Sequence, residues 1–137
     1  MINKIIPLTK KLISIRSEPQ KKDALDEILN LALSYLSEFT IEHFSSNGFK
    51  SALVYNVTKR PKKFKIILNA HLDVIPGKIS NYKPKLKGNK LFGVGSMDMK
   101  ASVACLILAF KEMAKKVSYP IALQLVTDEE IGGYDGT

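Results

Sequence analysis

The sequence predicts an α/β fold, a mixed, largely parallel sheet with flanking helices. Three observations carry that prediction. Two stretches with helical spacing of apolar residues lead the chain, and strand-like and helix-like stretches then alternate. Polar clusters able to do chemistry each sit at the end of an apolar element, which is where open α/β sheets place their sites.

Residues 3–16 set Ile5, Ile6, Leu8, Leu12, Ile13 and Ile15 at helical spacing. Ser17-Glu18-Pro19 ends this helix, because the residue before a proline avoids the helical region. A longer helix is predicted over 21–37, with Ala24, Leu25, Ile28, Leu29, Ala32, Leu33 and Leu36 on one face. Asp23, Asp26 and Glu27 fall in its early turns, where carboxylates suit the helix dipole. The period then changes. Residues 40–45 and 50–57 read as strands around a turn at Ser46-Asn47-Gly48. Residues 64–70 read as a buried strand, directly followed by His71 and Asp73, and 82–93 as a lysine-rich hairpin turning at Gly88-Asn89. A mostly apolar helix is predicted over 98–116 and a further buried strand over 119–126.

The 137 residues match one ordinary domain, and 45% apolar with 25% charged residues describes a globular chain rather than a disordered one. A single cysteine, Cys105, excludes a disulfide framework and a cysteine-rich zinc module. No apolar run is long enough to span a bilayer. Pro7, Lys10 and Lys11 interrupt the first apolar stretch too early for a signal peptide, so a reducing, cytoplasmic location is expected. The net charge of +8 comes from lysine runs at 59–65 and 78–90 in segments that read as loops or exposed strands. No recognition-helix pattern or aromatic stacking motif accompanies them, so they read as a solvated surface and not as a nucleic-acid interface. Neither nucleic acid nor membrane is expected as a partner.

Three clusters carry the chemistry. In His71-Leu72-Asp73, residues two apart on an extended chain face one side, so His71 could ligate a metal while Asp73 orients its ring; a surface pair without a role is the alternative. Gly93-Val94-Gly95-Ser96-Met97-Asp98-Met99-Lys100 looks like a phosphate loop, but a dinucleotide fingerprint needs glycine where Asp98 stands, and a carboxylate there repels pyrophosphate. The glycines better suit a tight backbone path that aims Asp98 into a site, with helix capping as its alternative role. Asp128-Glu129-Glu130 interrupts a lysine-rich chain at the end of an apolar strand. Such adjacent carboxylates repel unless they share a cation or a proton; an ordinary acidic loop is the plainer reading. On an extended backbone one glutamate could bind metal while the other reaches a water. If the strands before His71 and Glu129 are parallel neighbours, the clusters converge with Asp98 between them. One imidazole and several carboxylates suit zinc, with cobalt or manganese as alternatives.

Taken together and in this order, the three motifs resemble the zinc-dependent amidohydrolase and exopeptidase family of acetylornithine deacetylase, succinyl-diaminopimelate desuccinylase, aminoacylase, glutamate carboxypeptidase and related dipeptidases. The resemblance covers nearly the whole chain. It departs from the family pattern at Val94, where the family often has arginine, and at Ala101, where it often has glycine.

The resemblance implies a zinc-exopeptidase-like fold and two divalent metal ions. It makes His71 a ligand of one metal, Glu130 a ligand of the other, and Asp98 the bridge between them, followed by a cis peptide to Met99. It makes Asp73 the carboxylate that orients His71, and Glu129 the general base. The implied reaction hydrolyses an amide in an N-acyl amino acid or short peptide, with Glu129 moving a proton from the attacking water to the leaving amine. It also implies that residues 1–137 are the N-terminal portion of a catalytic domain. The remaining ligands and a smaller lid or dimerisation domain would lie elsewhere, the whole protein being a possible homodimer. Counting Asp98 twice gives each metal two ligands here, whereas catalytic zinc normally has three. The chain alone is therefore expected to bind metal weakly, to be nearly inactive, and to expose apolar surface that favours self-association. A non-catalytic remnant or interaction module is the competing reading; a basic nucleic-acid binder is a distant third.

Overall fold

The opening helical pattern folds as two helices, α1 (Ile2–Ser14) and α2 (Lys22–Ser34), in the computed structural model, which describes residues 2–136. The strands β1 (Thr40–Ser46), β2 (Phe49–Tyr55) and β3 (Ile66–His71) follow. A short hairpin comes next, β4 (Lys85–Lys87) and β5 (Lys90–Phe92), then helix α3 (Ala101–Ala114) and strand β6 (Ile121–Val126). None of the described helices is long and apolar enough to cross a membrane.

The main sheet has the order β1-β2-β6-β3 and is mixed. The turn between β1 and β2 consists of Asn47 and Gly48, both at positive φ (46° and 78°). Such a two-residue turn forces an antiparallel hairpin. β2 then pairs antiparallel with β6, so among the described residues parallel pairing is confined to β3 and β6. The largely parallel part of the expectation narrows to that one pair. It is the pair that matters for the site: Ala70 lies opposite Leu125 and His71 opposite Val126. The segments leaving the two strands therefore start side by side.

One face of the sheet packs on the three helices. Ala52, Val54, Ala70, Leu123 and Leu125 meet Leu8 and Leu12 of α1, Ile28 and Ala32 of α2, and Ile107 and Phe110 of α3. Phe39 meets Phe110 edge to face at 5.1 Å. The other face and the outer edge are less covered. β3 has a strand neighbour on one side only, and Ile67 and Phe44 are 52% and 44% exposed. An open edge beside exposed apolar side chains templates association. Sedimentation of the chain is expected to show concentration-dependent self-association that Ile67→Lys reduces. A parent that stays monomeric across the concentration range would contradict this.

Two local expectations change. The third helix starts at Ala101 rather than at 98, because Asp98 (φ −123°, ψ 105°) and Met99 (φ −124°, ψ 28°) are not helical. The Glu129-Glu130 pair lies in a single 3-10 turn, Glu129–Ile131, not on extended backbone. The left-handed Gly132 that follows, at φ 109°, lets the chain reverse there.

The link between α1 and α2 is fastened to the Ile79–Tyr82 turn by a buried carboxylate. Glu18 accepts hydrogen bonds from the Tyr82 hydroxyl (2.6 Å), from Arg16 (2.9 Å) and from Gln20 (3.0 Å). Burial works against its charge, but the Tyr82 and Arg16 donors, with the Arg16 and Lys21 charges, hold its carboxyl below the usual range. Burial and the Glu18 carboxylate push the Tyr82 phenol up to about 12. The folded chain thus keeps the Tyr82 proton that the unfolded chain loses near 10.0, and this contribution to stability is lost as pH rises from 10.0 to about 12. The Glu18 contribution has the opposite direction, being lost as pH falls below 4.5. Tyr82→Phe is expected to cost about 1–3 kcal/mol near neutrality and to flatten the alkaline decline in denaturant melts. Parallel stability curves for parent and variant from pH 10 to 12 would contradict the assignment.

Candidate metal centre

His71 is the last residue of β3 and is buried, with 6% of its surface exposed. Its Nδ1 lies 3.2 Å from the Asp73 carbonyl oxygen and 3.5 Å from Asp73 Oδ1. Both atoms only accept hydrogen bonds, so Nδ1 carries a proton toward them, and Nε2 faces outward. There it meets Asp98 Oδ1 at 3.1 Å and Glu129 Oε2 at 3.8 Å. A donor atom of Glu130 completes a group with those of His71 and Glu129, all within 4.8 Å of one another. Asp98 touches His71 but is outside that mutual group, and its side chain is 78% exposed. Glu129, which the family resemblance makes the general base, is inside it. His43 is exposed on β1 and takes no part.

Asp73 does more than its sequence position suggests. Fully buried, it faces His71 with one oxygen, while the other accepts the Glu130 main-chain N–H at 2.8 Å. One carboxylate therefore braces both the β3 end and the loop after β6. The braced segment is also gripped from below. The Ser17 hydroxyl donates to the Leu72 carbonyl (2.7 Å), and the Val74 N–H donates to the Ser17 carbonyl (3.0 Å).

Asp98 sits in the turn between Gly95 and α3. Gly95 has φ 70°, and a Cβ there would stand 3.1 Å from Val74 Cγ2, so glycine suits both the conformation and the close approach. The Asp98–Met99 peptide is cis. Asp98 does not cap α3; the cap position is Lys100, with no side-chain cap hydrogen bond. Sequence reasoning gave Lys100 no role. The structure buries it completely, and its ammonium donates to the carbonyls of Leu12 (3.0 Å) and Ile15 (2.8 Å) at the end of α1. A cation there satisfies helix-terminal carbonyls and complements the helix dipole. Burial lowers its pKa to about 7, although the Asp73 charge pulls the other way. The available signal was a lysine heading an otherwise apolar helical pattern.

The electrostatics call for a cation. Burial disfavours a charged imidazole, yet the Asp73, Asp98 and Glu129 carboxylates outweigh it and raise His71 to about 9. Glu130 is pushed up by burial, and the Asp73, Asp98 and Glu129 charges add to that while His71 opposes it. Asp73 Oδ1, buried against the ring, has no hydrogen-bond partner among the described residues. One ring nitrogen ringed by acceptors, with carboxylates crowded beside it, is a donor set that fits a divalent metal. Val74, Ile75, Met97, Asp98 and Glu130 help line a cleft of about 260 Å³ beside these groups. A larger cavity, about 440 Å³, lies on the open sheet face by Phe44, Leu53 and Ile67; none of the five predicted site residues lines it, so the cleft is the one tied to the chemistry.

A mixed sheet that brings one imidazole and several carboxylates together beside two adjoining strand ends defines an α/β protein with a candidate metal centre. Residues 67–137 match the model of Peptidase family M20/M25/M40, and the chain belongs to that family. It is 33% identical to a succinyl-diaminopimelate desuccinylase of Buchnera aphidicola subsp. Cinara cedri, over 99% of this chain and 37% of that protein. Among solved structures it resembles an M20 family metallo-carboxypeptidase from Sulfolobus solfataricus, with TM-score 0.77, 17% identity, and coverage of 96% of this chain and 32% of that one. It also resembles human carnosine dipeptidase 1, with TM-score 0.74, 20% identity, and coverage of 96% and 33%. Both likenesses concern the fold. The chain spans about 37% of the length of the curated desuccinylase it matches. Membership makes the chain part of a family of hydrolases that use a divalent metal.

Proposed function

We propose that residues 1–137 supply the N-terminal portion of the catalytic domain of a dinuclear metal hydrolase that cleaves an amide bond in an N-acyl amino acid or small peptide. What supports this reading above all is convergence. Residues 71, 98 and 129–130, far apart in sequence, bring their polar ends to one place, with 3.1 Å and 3.8 Å from His71 Nε2 to Asp98 and Glu129. In this reading His71 would hold one metal and Glu130 the other, and Asp98 would serve both, with zinc the first choice and cobalt or manganese as alternatives. When bound, such ions act as Lewis acids toward a carbonyl and make water a better nucleophile.

The chain's own residues do the rest. Asp73 keeps a proton on His71 Nδ1, so that Nε2 is the nitrogen that would be offered to a metal. Glu129, 59% exposed, can receive a proton from the attacking water and return it to the departing amine nitrogen. Val74, Ile75 and Met97 give the cleft an apolar wall beside the carboxylates.

The test is a colorimetric assay of N-acyl amino acid and dipeptide hydrolysis with added zinc or cobalt. A longer protein that carries further ligands is expected to turn over, and Glu129→Gln to reduce its kcat by a factor of about 100 or more. The 137-residue chain alone is expected to show little turnover. Full family-like turnover by the chain alone, or an unchanged kcat in Glu129→Gln, would overturn the reading.

A further inference from the structure

The loop that presents Glu129 and Glu130 closes on one buried residue, Asp128, which is 1% exposed. Asp128 Oδ2 accepts the main-chain N–H groups of Asp135 (2.8 Å) and Gly136 (2.9 Å). Its carbonyl oxygen accepts those of Gly133 (2.8 Å) and Ile131 (3.3 Å). Four N–H groups on the far side of the two glutamates thus end on the residue just before them. The loop is tied outward as well, since Asp135 Oδ1 accepts from the Ser46 hydroxyl (2.7 Å) and the Asn47 amide (2.8 Å) at the β1–β2 turn. Asp128 is not in the group of possible metal donors.

We infer that Asp128 is a positioning residue: its carboxylate clasps the 129–136 loop so that Glu129 and Glu130 face His71. This rests on the metal-centre reading above. The clasp depends on Gly136. A Cβ at that position would stand 1.9 Å from Asp128 Oδ1, so any other residue displaces the carboxylate. Because Asp135 and Gly136 both donate to the same oxygen, an asparagine at 128 can keep both bonds with its amide oxygen while losing the charge. Position and charge can therefore be separated.

The experiment titrates the 137-residue chain with Co²⁺, read by its visible absorption, and with competing Zn²⁺, alongside melting curves in chelator. Asp128→Ala and Gly136→Ala are each expected to lose about 10- to 100-fold in affinity, the range for removing an outer partner of a metal ligand. They should also change the Co²⁺ spectrum while the metal-free melting transition stays cooperative. Asp128→Asn is expected to keep the parent spectrum and nearly the parent affinity. Parent-like affinity in Asp128→Ala or in Gly136→Ala overturns the role. So does an Asp128→Asn variant as weak as Asp128→Ala, since the two retained bonds would then not be what holds the loop. Outright unfolding of the variants also overturns it, since the clasp is local to the loop. His71→Ala is the control: if it binds Co²⁺ like the parent, the metal-centre reading itself has failed, and the role of Asp128 falls with it.

Discussion

His71→Ala is expected to lower the zinc affinity of the chain by at least about 100-fold, the upper end of what losing even an outer partner of a ligand costs. The reason is geometric. His71 Nε2 is the only ring nitrogen among the described residues near Asp98, Glu129 and Glu130. The remaining histidine is on β1 and exposed. Without the imidazole the carboxylates stand together with nothing to neutralise them, and proton uptake competes with metal. The ring lies at a strand end and not in the helix-facing core, so melting in chelator should remain cooperative. Calorimetric zinc titration of parent and variant checks the result.

Lys100→Ala is expected to be among the most destabilising single changes, at about 3–5 kcal/mol. Its four-carbon stem is fully buried, so truncation leaves a cavity like that of a core leucine replaced by alanine. The carbonyls of Leu12 and Ile15 lose their shared donor as well. Relief of the desolvation that lowers the lysine pKa to about 7 offsets part of this. The loss falls where α1 meets the turn that carries Asp98, so metal affinity should decline along with stability. Denaturant melts of parent and variant measure the effect. A shift in midpoint no larger than that of an exposed lysine variant would show that the two carbonyls find other partners.

What the sequence made legible follows from what local pattern encodes. Apolar spacing located α1, α2 and β6, and Asn47-Gly48 fixed the hairpin that makes β2 antiparallel. The candidate site was legible because His71 and Glu129-Glu130 each follow an apolar strand, Asp98 precedes an apolar helix, and the two strands are parallel neighbours. Pattern could not show that α3 begins three residues after Asp98, because the apolar run and the irregular turn share one composition. Nor could it show the long-range partners. Asp73 reaching the Glu130 N–H, Ser17 gripping residues 72 and 74, and Lys100 reaching α1 span 57, 55 and 88 positions. Such bonds are set by tertiary packing, which periodicity does not carry.

The central claim is that His71, Asp98 and Glu130 are the residues that would hold metal, with Glu129 beside them as the base. X-ray absorption at the zinc edge of the zinc-loaded chain tests it most directly. The expected spectrum has only nitrogen and oxygen neighbours, with scattering from one imidazole that disappears in His71→Ala. Sulfur scattering, which could come from the exposed Cys105, or imidazole scattering that persists in His71→Ala would contradict it.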